Sequence, residues 1–302
     1  MGGYVAMNRI LTALVLALML TACAETASDS SEGDGAMERS AISTEGLPPE
    51  SERLATERRL QLERSVDQWF LAYQQQEFSK ADGLATHLEQ YVNNHLAAIE
   101  RDVQTSSPRF RKVAAAALGF SGKEEVVPVL IGALKDPFQD VVLASLLSLW
   151  RLSLSGVKVP AQPVAPLLGH SVADIRSNAA MVLAHAVTPA DKDLFLPLTS
   201  AMEDEDAGVR LHAAVALGAL GEPDAVPFLV KALDDPKALV RIRSAYALGR
   251  IGSRAAVPAL IDHLDDPNND VSKAIHKALQ TITGQKIPRL KHEWKNYWKE
   301  NA

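Results

Sequence analysis

A short motif recurs along the chain at a nearly constant interval, and this period constrains the fold more than any other feature. The stretch "VRLHAAVALGALG" begins at residue 209, and "VRIRSAYALGRIG" begins 31 residues later, at residue 240. With the first apolar residue in register, successive copies lie 31, 34, 34, 31 and 31 residues apart and begin at Phe110, Val141, Ile175, Val209, Val240 and Val271. A fixed period of this length predicts an array of stacked structural units.

Each unit of the array is predicted to be a pair of helices. In every copy a leucine follows the first apolar residue by eight positions, a spacing that returns it to the same side of a helix. Between the copies lies a second apolar block with an internal proline, as in "DAVPFLVKALDDP" at 224–236. The proline block and the motif therefore supply one helix each.

Polar and glycine signals mark the expected ends of these helices. The aspartates of "DDP" at 234–236 and 265–267, and of "DP" at 136–137, are expected to cap the next helix, with the proline at its first position. Glycines at the end of the motif are expected to end its helix with a positive φ angle; they are Gly218, Gly221, Gly249 and Gly252.

The proline helix, the "DDP" turn and the "VRxxAxxALGxxG" helix together resemble the short HEAT repeats that also occur in phycobilin lyases. The resemblance covers residues 106–283. It implies an all-α, right-handed α-solenoid of about six HEAT-like helix pairs, an armadillo-like fold with the "VR" helices on its concave side. The arginine of the motif recurs at Arg111, Arg176, Arg210 and Arg241, whereas Val142 and Ser272 replace it and interrupt any Asp–Arg ladder.

Helical caps are expected at both ends of the solenoid. Residues 51–105 predict an N-terminal cap or a divergent first repeat, with a first helix over 51–77 and a second one after Ser79. Residues 284–302 predict a Trp-rich capping helix, because its large apolar residues share one face: Leu290, Trp294, Tyr297 and Trp298. The basic residues of this helix leave contact with a membrane or nucleic acid as an alternative.

The beginning of the chain resembles a bacterial lipoprotein. Residues 7–23 read "MNRILTALVLALMLTAC", with an 11-residue apolar run that is too short to span a bilayer and ends in a lipobox-like "LTAC". The resemblance implies a signal peptide over 1–22 with Met7 as the start, and a lipid on Cys23. A flexible tether over 23–50 follows, and Ala24 favours an outer-membrane anchor facing the periplasm. An unmodified cysteine after a signal sequence remains the alternative.

Catalytic chemistry is not indicated by any motif. The eight histidines show no metal-ligand spacing, and "EDED" at 203–206 lacks a Ca²⁺-loop pattern. The glycine-rich "GFSGKE" at 119–124 lacks the spacing of a phosphate loop. We therefore expect no enzyme activity, cofactor or metal. The alternative is a lyase-like or other enzyme acting on a tetrapyrrole or another small molecule.

The motif helices contain no acidic residue in six stretches of twelve residues, although the chain has 37 Asp and Glu and a net charge of −6. Helical geometry points positions two, three, six and ten of each stretch away from the core. These predict a basic and apolar concave groove for an acidic or amphipathic protein segment rather than nucleic acid, although some can pack on the next repeat. The candidate residues are Lys112, Phe120, Leu147, Arg151, Met181, His185, His212, Arg243, Tyr246, Arg250, Lys273 and Lys277.

Overall fold

The computed structural model describes residues 54–301, and these form fourteen α-helices joined by short 3₁₀ turns, without a β-strand among them. The predicted signal peptide, Cys23 and the tether lie outside the described residues, as do the first residues of the N-terminal cap and Ala302. The chain divides into two compact units at Ala133 and Leu134. Unit 1 is used below for residues 54–133 and unit 2 for residues 134–301.

Unit 1 contains five helices around an apolar core. They are α1 (Thr56–Gln74), α2 (Phe78–Asn94), α3 (Leu96–Thr105), α4 (Pro108–Leu118) and α5 (Val127–Ala133). In α1, Leu62, Val66 and Trp69 are buried at the spacing of an amphipathic helix. The Trp69 ring meets the Phe120 ring edge to face, with 5.0 Å between their centroids. Aromatic packing therefore joins the first helix to the end of α4.

The prediction of one continuous helix after Ser79 is wrong, because the chain bends at His95. This residue has φ −126° and ψ 20°, outside the helical region, and it separates α2 from α3. Its ring stacks on the Tyr91 ring at 4.5 Å, and Nδ1 lies 2.9 Å from the Tyr91 carbonyl oxygen. The stripe of apolar residues crosses the bend without interruption, since Leu88, Val92 and Ile99 are all buried.

Unit 2 contains nine helices, and long and short ones alternate along most of it. They are α6 (Gln139–Leu154), α7 (Ala173–Ala186), α8 (Phe195–Ala201), α9 (Ala207–Leu220), α10 (Val226–Lys231), α11 (Ala238–Ile251), α12 (Val257–Asp262), α13 (Asn269–Thr283) and α14 (Lys291–Asn301). The long helices α6, α7, α9, α11 and α13 pack on one another in chain order, and each of α8, α10 and α12 packs on the long helix that follows it. This is the packing of a helical-repeat solenoid.

One repeat of unit 2 departs from the predicted pair of helices. The segment before α7 carries Pro160, Pro163 and Pro166, and its only helical piece among the described residues is a 3₁₀ turn, Ala165–Gly169. Proline lacks the amide hydrogen that an α-helix interior requires, so three prolines in seven residues prevent a full helix. Ala165 and Leu168 are nevertheless buried, and the turn packs on α7 as the short helices do elsewhere.

A ladder of ion pairs connects successive repeats of unit 2. Arg176, Arg210 and Arg241 each donate two hydrogen bonds from Nε and Nη2 to one carboxylate of the next turn, at 2.7–3.1 Å. Their partners are Asp204, Asp235 and Asp266. Each Nη1 donates to a backbone carbonyl in the turn before its own helix. Each arginine with its aspartate, called a rung below, therefore joins two turns and one helix.

The aspartates of the "DP" and "DDP" turns do not cap the following helix, which corrects the sequence prediction. Asp235 and Asp266 accept a hydrogen bond from the backbone N–H two residues later, at 2.8 and 2.7 Å. The residues at the N-cap positions of α11 and α13 are Lys237 and Asn268, and the proline lies before the cap. Aspartate is required here because its oxygens hold the turn and receive the arginine at once.

The four glycines at the motif ends have two different functions. Gly221 and Gly252 are left-handed C-caps with φ of 77° and 74°, as predicted. Gly218 and Gly249 lie inside their helices, which corrects the prediction that they end them. A Cβ at Gly218 would lie 2.9 Å from both Cα and Cβ of Ala247, so this glycine lets α9 and α11 approach closely.

We expect Gly218→Ala to lower the free energy of unfolding by about 1–3 kcal/mol, because overpacking in a filled core forces the helices apart. Urea unfolding followed by circular dichroism measures this loss. The control is Gly83→Ala in α2, where no atom lies within 4 Å of an added Cβ. That change should stabilise the helix by about 0.5–1 kcal/mol through helix propensity alone. A stabilised Gly218→Ala would show that the close approach is not required.

The last helix of unit 2 covers the end of the repeats. Trp294 of α14 is fully buried, and its ring meets the rings of His276 and Tyr297 edge to face at 6.0 and 6.1 Å. His276 Nε2 lies 2.8 Å from the carbonyl oxygen of Ile287, which fixes the segment that leads into α14. The guanidinium of Arg254 lies 5.1 Å from the centroid of the Trp298 ring. Helix α14 therefore shields the apolar side of α12 and α13 from water.

Candidate functional site

The twelve predicted groove residues, taken from the six stretches without an acidic residue, are divided between the two units. Lys112 and Phe120 belong to unit 1, and the other ten lie on the long helices of unit 2. Three of the twelve are buried: Phe120, Met181 and His212. These three side chains are buried between helices, so the prediction that they face an exposed groove is wrong. The remaining residues are exposed or partly exposed: Lys112, Leu147, Arg151, His185, Arg243, Tyr246, Arg250, Lys273 and Lys277.

Three polar residues occupy the same position in successive repeats. Asn178, His212 and Arg243 are each three residues after the first apolar residue of their copy, on α7, α9 and α11. Since these helices pack in order, the three side chains lie on the same side of the stack. His185 lies seven residues after Asn178, two turns further along α7. We call His185, His212 and Arg243 the Arg243 cluster.

The Arg243 guanidinium makes no hydrogen bond or ion pair with any residue between 54 and 301. Burial lowers the pKa of Arg243, and the residue is only partly exposed. Arginines held in this way are normally matched with a carboxylate, because removing a charge from water costs free energy. The ladder arginines follow that rule and Arg243 does not. Within residues 54–301, no carboxylate therefore competes with an external anion for the Arg243 guanidinium.

The two histidines of the cluster are neutral at pH 7. The pKa of His212 is lowered to about 3, mainly by burial and to a smaller extent by the nearby His185 and Arg243. The pKa of His185 is lowered as well, first by the partial burial of its imidazole and then by Arg243. Unlike His212, this residue keeps an exposed surface. Positive charge at the cluster is consequently carried by Arg243, with two imidazoles that can accept or donate hydrogen bonds.

A buried amide in the same register, Asn178, also falls at one of the positions predicted to face the groove but is not among the twelve candidate residues. Asn178 donates from Nδ2 to the Asp174 carbonyl at 2.7 Å, while its buried Oδ1 has no partner among residues 54–301. The repeat position supplied the signal, because positions 178, 212 and 243 are polar where 113, 144 and 274 are Val, Ala and Ala. A polar run at a position that is otherwise apolar distinguishes these three repeats.

The state of His212 predicts a pH-dependent stability. The unfolded chain protonates His212 near the ordinary pKa of about 6.5, whereas the folded chain keeps it neutral down to about 3. Because the unfolded state binds more protons, stability falls as pH falls through this window. We expect a loss of about 2 kcal/mol from His212 between pH 7 and pH 5. Urea unfolding at pH 7, 6 and 5 measures it.

A His212→Leu variant is expected to remove most of that pH dependence, because leucine fills a similar volume without titrating. The control is His292→Leu on α14, where the side chain is exposed and the dependence should be unchanged. The ladder carboxylates do not interfere, since hydrogen bonds from Arg176 and Arg210 lower the pKa of Asp204 and Asp235 despite their burial. An unchanged slope in His212→Leu would contradict the assignment.

Other kinds of site find little support in the described part of the chain. Between residues 54 and 301 there is no group of three or more His, Cys, Asp or Glu that could hold a metal ion. Within the same range, no helix combines the length and apolar character needed to cross a bilayer. The arrangement around Arg243 can bind an anion next to an exposed aromatic ring, since Tyr246 is 48% exposed one turn further along α11.

Comparison with known proteins agrees with this architecture. Residues 161–248 and 227–294 match the family model for HEAT repeats. The HEAT-like repeats protein from the archaeon Thermococcus onnurineus is a structural neighbour at a TM-score of 0.53 and 14% identity, with 75% of this chain and 97% of that chain covered. An engineered protein matches at a TM-score of 0.50 and 18% identity, over 66% and 99% of the two chains. These likenesses concern the fold alone.

A weaker likeness involves an enzyme. Human deoxyhypusine hydroxylase matches at a TM-score of 0.38 and 22% identity, over 75% of this chain and 97% of that chain. A likeness at this level carries no argument about activity. No curated protein sequence matches the chain. The function therefore has to be inferred from the surface that these repeats carry.

Proposed function

Because residues 161–294 carry HEAT repeats, we propose that the protein is a non-catalytic scaffold that docks a protein partner on the long helices of unit 2. Repeat solenoids of this kind present extended surfaces, and the HEAT and armadillo-like fold typically serves protein interaction. The proposed partner segment is acidic and partly apolar. It would lie along the exposed side chains of α7, α9, α11 and α13, with Arg243 and Tyr246 near its middle.

Arg243, which has no ion-pair partner in the part of the chain that the structure describes, is the observation that carries this proposal. It lies in stretches of the long helices that contain no acidic residue, although the whole chain is net negative. Arg250 follows it two turns later on α11 and is exposed, and α13 adds Lys277. Complementary charge of this kind favours a partner with carboxylates and raises the rate of encounter.

An apolar component of the same surface supports a protein rather than a simple ion as the partner. Tyr246 is 48% exposed between Arg243 and Arg250 of α11, and Leu147 and Leu211 are partly exposed on α6 and α9. Tyrosine and arginine are the residues that most often carry binding energy at protein interfaces. We therefore expect Tyr246 to contribute as much to partner binding as the neighbouring charges do.

A cross-linking capture from native membranes tests this function. The test variant combines Arg243→Glu, Tyr246→Ala and Arg250→Glu, and circular dichroism establishes that it is folded. The matched control combines Lys192→Glu, Lys231→Glu and Phe228→Ala, so it removes the same charge and one aromatic ring. All three control residues are exposed and lie before or within the short helices α8 and α10.

We expect a partner that cross-links to wild type and to the control but is reduced at least tenfold with the test variant, and whose cross-linked peptide is acidic. Neutralising the acids of that peptide should reproduce the loss. Equal capture by the folded test variant would overturn the assignment of this face. So would a partner whose cross-links lie only on the short helices.

Attachment to a membrane is the second part of the proposal, and it rests on the "LTAC" sequence that ends at Cys23. We propose that the mature chain begins at Cys23, carries lipid there and lies at the outer membrane facing the periplasm. Residues 23–50 would then act as a tether for the helical units. A Cys23→Ser variant is expected to lose incorporation of labelled palmitate and to leave the membrane fraction. Unchanged fractionation and labelling would exclude the lipid anchor.

A further inference from the structure

We propose that the Arg243 guanidinium is the binding site for one carboxylate of the docked segment, with the His185 imidazole beside it as a second, protonation-dependent contact. This deepens the proposed docking function and rests on it. The basic residues of the long helices favour an acidic partner in general, whereas this proposal names Arg243 as the residue that recognises one carboxylate of it. The ligand group is a glutamate or aspartate side chain, or the terminal carboxylate, of the partner.

The ladder shows which ligand an arginine of this fold accepts. Arg176, Arg210 and Arg241 all bind a carboxylate through two parallel hydrogen bonds, the geometry that matches a planar guanidinium to a planar anion. Arg243 lies two residues after Arg241 on α11 and therefore projects from a different side of the helix. It has the same chemistry and, among the described residues, no carboxylate to receive it.

The missing carboxylate does not come from the neighbouring turns. Asp204, Asp235 and Asp266 are already held by the ladder arginines, with side chains no more than 12% exposed. The long helices contribute no acid within their twelve-residue stretches. An anion that pairs with Arg243 would compensate the cost of keeping its charge partly buried, so the site is prepared for an external ligand.

The charged and titratable groups that the long helices bring to the cluster are basic or neutral, apart from Asp270. Helix α6 contributes Arg151 at the same repeat position as His185 of α7, α9 contributes His212, and α11 adds Tyr246 and Arg250. From α13, Lys277 is exposed, and Lys273 is paired with Asp270 at 2.9 Å. Burial and then Arg243 lower the pKa of His185, and this residue keeps an exposed surface, so its protonation responds to an anion that neutralises Arg243.

Binding of a carboxylate should therefore be linked to protonation of His185. In the free protein burial and Arg243 keep the pKa of His185 below its ordinary value, so it is neutral at pH 7. A carboxylate beside it raises that pKa, and the complex then takes up a proton as it forms. We expect affinity to rise about two- to fivefold between pH 8 and pH 6.

Nuclear magnetic resonance with N-acetyl-L-glutamate as the probe tests the site without a partner. We expect saturable shifts of the Arg243 Nε–Hε and His185 ring resonances, which N-acetyl-L-glutamine does not produce at equal ionic strength. Arg243→Gln should weaken binding at least tenfold, and Arg250→Gln should change it less than twofold. The two arginines lie on one helix, so the second variant controls for the general basic field.

Several results would overturn the proposal. They are the absence of a saturable shift at Arg243, equal shifts with the amide probe, tighter binding of inorganic phosphate than of the carboxylate, or affinity that does not change between pH 8 and pH 6. The outcome of the capture experiment does not depend on the outcome of the resonance experiment. A partner lost through Tyr246→Ala but unaffected by Arg243→Gln would support docking and exclude the carboxylate site. Probe binding at Arg243 without a captured partner would support the carboxylate site and exclude docking on this face.

Discussion

Replacement of Arg210 by methionine is expected to lower the free energy of unfolding by about 3–5 kcal/mol. The change removes the guanidinium that pairs with Asp235, whose side chain is 7% exposed, and leaves a buried carboxylate with a single backbone donor at Lys237. Two backbone carbonyls, of Asp204 and Glu205, lose a donor as well. Urea unfolding at pH 7 measures the loss.

The matched control for this prediction is Lys231→Met, which breaks an exposed ion pair with Glu203 in the same region. Such pairs contribute about 0–1 kcal/mol, so the control should remain close to wild type. The double variant Arg210→Met, Asp235→Leu should recover part of the loss, because it leaves no unpaired charge. Equal effects of Arg210→Met and Lys231→Met would show that the ladder contributes no more than a surface ion pair.

Trp294→Ala is expected to destabilise unit 2 by about 3–5 kcal/mol, since it removes a fully buried indole from between α14 and the last repeat. The apolar side of α12 and α13 would then be exposed to water. We expect the loss to be accompanied by binding of a hydrophobic dye and by aggregation, as for a repeat array without its cap. Thermal unfolding with light scattering measures both.

A conservative variant distinguishes packing from hydrogen bonding at this position. Trp294 Nε1 is buried and has no acceptor among residues 54–301, so Trp294→Phe removes no hydrogen bond between them. It should cost clearly less than the alanine variant, with the remaining loss due to the smaller ring. If Trp294→Phe and Trp294→Ala were equally damaging, an unseen partner of the indole nitrogen would be the explanation, and packing would not.

The repeat architecture was predictable because it depends on the spacing of apolar residues. The period near 31 residues placed the first buried residue and the buried leucine of each long helix correctly, as at Val209 and Leu217. The positive φ at Gly221 and Gly252 followed from local chain geometry in the same way. Features that repeat along the chain reinforce one another, so a single sequence is sufficient to detect them.

Features that depend on contacts between repeats were not predictable. Asp235 was expected to cap a helix, because sequence shows the turn but not the arginine that approaches from α9. Gly218 was expected to end a helix, because the Ala247 backbone that it accommodates belongs to another repeat. For the candidate site, sequence identified Arg243 and Tyr246, whereas the absence of a partner for Arg243 among residues 54–301 is visible only once the neighbouring side chains are placed.

The ion-pair ladder has a mechanical consequence for unit 2. Each rung spans adjacent turns only, so no arginine of the ladder holds together repeats that are further apart. Stability is then close to a sum of neighbour-to-neighbour couplings, and local opening can begin at one interface and stop at the next. Loss of the middle rung at Arg210 would divide the stack into two cooperative blocks, with amide exchange accelerating first at the junction between them. The ion pairs between neighbouring turns thus set how far a local disturbance of the long helices is transmitted along unit 2.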